Sequence, residues 1–127
     1  MNTFINVRTD FYGIHKYVNA PEEVAFLRNE HRHKFYVEAM IQVFHNDREL
    51  EFIIVKNKIN EFINSNILCM PVVYSCEMIC NDIIAFIEKT YCKDVARKIK
   101  VSVFEDNENG ATVYNDACTN TDILEVS

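Results

Sequence analysis

A chain of 127 residues, 49% of them apolar, is too short for two catalytic domains and too hydrophobic to stay disordered. Its formal charge of −6 argues against nucleic acid or an anionic membrane as the main partner. No apolar run approaches the roughly 18 residues of a membrane-crossing helix, and no basic-then-apolar leader opens the chain.

An unsecreted, cytoplasmic protein is therefore expected, folded as one domain over residues 1–127 with a loosely held tail from about 116 to 127. Cys69, Cys76, Cys80, Cys92 and Cys118 are odd in number and form no C-x-x-C pair, so reduced thiols are the default. A structural zinc built from them is the weaker alternative. With only two glycines and two prolines, the elements should be long and their connections short.

Thr3 to Tyr17 mixes Phe4, Ile5, Val7, Phe11, Tyr12 and Ile14 with polar residues, which predicts a strand bent or bulged at Gly13. Val18 to Asn29 reads as a loop with one helical turn, Pro21 suiting a first-turn position. Next comes the most regular stretch of the chain. From His31 to Phe44, residues Phe35, Val37, Ala39, Ile41 and Val43 alternate with Tyr36, Glu38, Met40, Gln42 and Phe44, the period of a long strand. His31 and His33 then share a face at its start, about 6–7 Å apart, and two such imidazoles can converge on one ion. His15 is the natural third ligand.

Phe52, Val55, Ile59, Phe62 and Ile63 recur at helical spacing, and Asn64-Ser65-Asn66 is expected to end that helix. Ile67 to Tyr74 has no clear period. Ser75 then predicts an N-cap for a second helix running to about Tyr91, with Ile79, Cys80, Ile83, Ile87 and Tyr91 as its buried stripe. Lys98 to Phe104 alternates as a strand, Asp106 to Gly110 offers an Asn-Gly turn, and Ala111 to Tyr114 returns as the hairpin partner. The order ββααββ predicts an α+β domain, a four-stranded antiparallel sheet with two helices on one face.

These residues resemble a known family. Asp10-Phe11-Tyr12-Gly13-Ile14-His15 followed by His31-Arg32-His33-Lys34-Phe35 is similar to the Phe-x-Ala-Ala-His and His-Gly-His-Asn-Tyr motifs of the 6-pyruvoyl-tetrahydropterin and 6-carboxy-tetrahydropterin synthases. Leu50 to Lys56 resembles that family's acidic-Phe-x-x-Leu-Lys helix start, and Ser75-Cys76-Glu77 its Pro-Thr-Ser-Glu-Asn segment. Val101 to Glu105 with Ala111 to Tyr114 resembles the Val-x-Val-x-Glu-Thr strand and the Ala-x-Tyr after it.

The resemblance implies the tunnelling fold, in which subunits join sheets into trimeric rings that stack as hexamers. It implies a zinc-dependent lyase that acts on dihydroneopterin triphosphate or a related pterin and makes a tetrahydropterin or queuosine precursor. Zinc would sit on His15, His31 and His33, and the pterin on Glu105 and Glu77. A carboxylate suits a 2-amino-4-oxo pyrimidine edge because it accepts two hydrogen bonds at once.

Three features depart from the family pattern. Leu27 stands where the synthases carry a reactive cysteine, Asn64 to Tyr74 lacks their Asp-His pair, and Arg32 replaces the glycine between the paired histidines. Glu22, Glu23, Glu30 and Cys69 are the nearby substitutes, and none sits at the matching position, so no catalytic acid or base is assigned. The alternative is a non-catalytic oligomer that keeps a pterin- or purine-binding pocket.

Overall fold

The computed structural model describes residues 1–15, 17–68 and 74–116, and of His15 and His31 the backbone alone. Four strands, β1 (Thr3–His15), β2 (His31–Val43), β3 (Ile99–Glu105) and β4 (Asn109–Asn115), form one antiparallel sheet in the order β1-β2-β3-β4. Two helices, α1 (Phe52–Phe62) and α2 (Cys76–Tyr91), connect β2 to β3. The α+β architecture expected from the sequence is present.

The odd-numbered side chains of β2 explain the layering. Phe35, Val37, Ala39, Ile41 and Val43 are all buried, and Ile99, Val101 and Val103 of β3 continue the same face. Helix α2 covers this face with Cys76, Ile79, Cys80, Ile83 and Ile87, while α1 adds Val55 and Ile59. Alternation puts one apolar surface on each strand, and two helical stripes close over it. Thr9 Oγ1 donates to Asn60 Oδ1 at 2.6 Å and ties α1 to β1. Among the described residues no helix covers the opposite face of the sheet, and Tyr12, Ile14 and Tyr114 are exposed there. Arg8 and Glu38 pair directly across β1 and β2 on that face, with Nε and Oε2 3.1 Å apart.

Several local expectations are corrected. Strand β1 is not bulged at Gly13: its register with β2 is unbroken from Thr3↔Val43 to His15↔His31. Glycine is there for room, because a Cβ would stand 3.0 Å from Cε2 of Phe35. The segment before β2 is a 3₁₀ helix over Glu22–Arg28, longer than one turn and kinked at Val24. Asn64 to Asn66 do not end α1; the chain continues as a π-turn, Ile63–Ile67, with Leu68 N–H donating to the Ile63 carbonyl at 3.0 Å. Widening that turn keeps Ile63 and Ile67 buried together. Phe52, expected in the buried stripe, is exposed with Ile53 and Ile54, and Leu50 packs on the core instead.

Ser75 caps α2 as expected, its hydroxyl accepting from Met78 N–H at 3.1 Å. Asn109 and Gly110 lie within β4, not in the turn. The residues that take left-handed backbone are Asp106 (φ 52) and Asn107 (φ 59), and Glu108 N–H closes the turn on the Glu105 carbonyl at 2.9 Å. Asp and Asn tolerate that region through their short polar side chains. No described helix is long and apolar enough to cross a membrane. Cys69, Cys118 and all of the expected tail beyond Asp116 lie outside the described residues.

Candidate metal centre

One corner of the core face gathers the residues that the sequence singled out. Register places His15 opposite His31 and Gly13 opposite His33. Directly opposed positions in an antiparallel pair share a face, and alternate positions along a strand do too. Positions 15, 31 and 33 therefore lie on one face of the sheet, the same face as Phe35 and the core. Opposed Cα atoms stand about 4.5–5.5 Å apart in such pairs, which brings three histidine positions into one small area.

Beneath them the rings of Phe11 and Phe35 stack with centroids 5.2 Å apart, and His33 meets Phe35 edge-on at 6.3 Å. This apolar floor borders the His33 ring, whose Nε2 has almost no access to solvent. The absent side chain at Gly13 leaves the space that the Phe35 ring fills.

Strand β3 delivers the acidic groups. Glu105 is the register partner of Phe35, so its side chain is on the histidine face, with Oε2 3.9 Å from His33 Nε2. Asp106 follows in the turn, and its Oδ2 is 2.6 Å from His33 Nδ1. Its Oδ1 also accepts from Lys34 N–H at 3.1 Å, and Asp106 N–H donates to the Lys34 carbonyl at 2.7 Å.

The first residue of α2, Cys76, closes the far side. Burial, then the neighbouring charge of Glu105, pushes its thiol up to about 12. Cys80 is pushed up to about 11, mainly by burial, and donates to the Ala111 carbonyl at 3.3 Å. Only a thiolate serves well as nucleophile or ligand. Both thiols are held neutral near pH 7, so they act here as small packing groups.

No family model and no curated protein matches this chain. Among the described residues no three His, Cys, Asp or Glu groups meet closely enough to hold an ion. Two of the expected ligands, the side chains of His15 and His31, lie outside that description. The donor set still fits zinc: imidazole nitrogens are common zinc ligands, and a carboxylate behind one imidazole is a frequent companion.

Of the expected site residues, positions 15, 31 and 33 and Glu105 are brought together. Glu77 is not: it is exposed on the first turn of α2 and reaches this corner through its charge on Cys76 and Cys80. Glu22 and Glu23 are exposed on the 3₁₀ segment, and Glu22 pairs with Arg28 at 3.6 Å. The end of that segment is tied to the chain that precedes it, since Tyr17 N–H donates to the Leu27 carbonyl at 2.7 Å. Asp106 and Cys76 were missed as members of the site. The signal for Asp106 was an acid directly after Glu105, and it was read as turn chemistry.

Proposed function

We propose that this protein is a zinc-dependent enzyme similar to the 6-pyruvoyl- and 6-carboxy-tetrahydropterin synthases, acting on dihydroneopterin triphosphate or a related pterin. The observation that carries this reading is the register of β1 and β2, which lines up positions 15, 31 and 33 on one face beside Glu105. His15, His31 and His33 would hold the metal, leaving one of zinc's four positions open. Bound there, zinc supplies Lewis acidity toward an oxygen of the substrate.

The chain's own groups do the rest. Glu105 accepts the paired N–H groups of the pterin ring, and the Phe11–Phe35 stack keeps that side of the site dry. The subunits would assemble through the outer strands β1 and β4 into a trimeric ring or a hexamer, as in the tunnelling fold. Among the described residues these two strands border the sheet, which makes them natural seams.

A second reading is favoured by two observations. Leu27 stands where the synthases carry a reactive cysteine, and Cys76, a thiol beside Glu105, is held neutral. A binding module that keeps the pterin pocket without the reaction accommodates both facts.

Metal analysis, sedimentation and incubation with dihydroneopterin triphosphate test the two together. The enzyme reading expects one zinc per chain, an assembly several times the 14.9 kDa monomer, and turnover lost in His31→Ala. Tight pterin binding without turnover selects the module. A zinc-free monomer that binds no pterin overturns both.

A further inference from the structure

Asp106 is held more firmly than a turn residue needs to be. Phe35 and Glu105 form the last register pair of β2 and β3, and one step beyond it Asp106 N–H still donates to the Lys34 carbonyl. The reciprocal bond of an antiparallel pair would come from Lys34 N–H to the Asp106 carbonyl. With φ at 52 the backbone of Asp106 has turned away, and its own carboxylate takes that bond at 3.1 Å. The second carboxylate oxygen is thereby aimed at His33 Nδ1, at 2.6 Å.

An ionised carboxylate only accepts hydrogen bonds, so the nitrogen facing it must carry the proton. We infer that Asp106 is a positioning residue: it fixes a proton on Nδ1 of His33 and so reserves Nε2 for a divalent metal ion. This rests on the zinc reading above. Nε2 is the buried nitrogen on the Glu105 side of the ring. A carboxylate behind a ligating imidazole sets its tautomer and orientation, and loss of such a partner typically weakens metal binding about 10–100-fold.

Asp106→Asn isolates this effect, because asparagine accepts the left-handed backbone and its oxygen can still receive Lys34 N–H. Its amide then presents a donor to Nδ1 and favours the opposite tautomer. Asp106→Gly keeps the backbone and removes the side chain, so it stands in should the first variant fold poorly. The measurements are zinc affinity of the full chain by chelator competition, and nitrogen NMR of the His33 ring in metal-free and zinc-loaded protein.

The expected result is an Nδ1-protonated ring in the wild type, zinc bound through Nε2, and affinity lowered about 10–100-fold in both variants, with Nδ1 deprotonated in Asp106→Asn. Equal zinc affinity in wild type and variants overturns the inference and leaves the proposed metal centre standing. A wild type that binds no zinc overturns that centre, and the role given to Asp106 with it.

Discussion

Two glycines show how much one side chain decides. At Gly110 an added Cβ would collide with the Val103 carbonyl and stand 2.7 Å from the Phe104 Cα, both backbone atoms that cannot swing away. At Gly13 it would meet only the edge of the Phe35 ring. Gly110→Ala is accordingly expected to lose about 2–3 kcal/mol and Gly13→Ala about 1 kcal/mol, as overpacking typically costs. Urea unfolding of the two variants checks the order. Neither role was legible in the sequence, where glycine signals a bulge, a turn or a close approach alike. Gly13 was read as the first and Gly110 as the second, and both are the third. The left-handed positions fell instead to Asp106 and Asn107, four and three residues ahead of Gly110.

At the scale of elements, patterns carried most of the fold. Strand β2 was legible because five alternating apolar residues have one explanation, a sheet with one covered face. Helix α1 was less so, since Phe52, Ile53 and Ile54 satisfy a helical period equally well whether inside or outside. What no pattern announced is Arg97, a 7% exposed residue between α2 and β3. Its Nε donates to the Tyr91 carbonyl and its NH1 to the Gln42 carbonyl, both at 2.9 Å, and its NH2 lies 2.7 Å from Glu49. One guanidinium thus joins the end of α2, the end of β2 and the loop before α1.

Glu49 also accepts from Phe44 N–H at 2.6 Å. That bond first, and then Arg97, hold its carboxyl below the ordinary 4.5 despite an opposing desolvation. A lowered carboxyl contributes stability that is present above its unfolded value and is lost as pH falls through its folded one. Arg97→Met should cost about 3 kcal/mol, because it strands Glu49 and two carbonyls. The stability gap between wild type and Glu49→Gln should be constant above pH 4.5 and close below it, as acid titrations of both proteins would show.

On the scale of the whole molecule, the sheet keeps chain order, so β1–β2 and β3–β4 are hairpin neighbours while β2 meets β3 only across both helices. The candidate site sits at that seam. His33 comes from β2, while Glu105 and Asp106 come from the end of β3 and its turn. The sequence could rank His15, His31, His33 and Glu105 by type and spacing. It could not place Asp106, because strand spacing gives the period of each strand and not the offset between two strands whose central register partners, Glu38 and Ser102, lie far apart in the chain.

The burial of Arg97 reaches beyond stability. Trypsin cuts after arginine, and Arg48, in a turn and with its side chain 81% exposed, is open to it. Arg97 is shielded until α2 and β2 let go of it, so scission at that bond counts molecules whose sheet has parted at its central seam. Its rate under dilute protease should track the unfolding equilibrium across denaturant, while the cut at Arg48, in the turn between β2 and α1, should not.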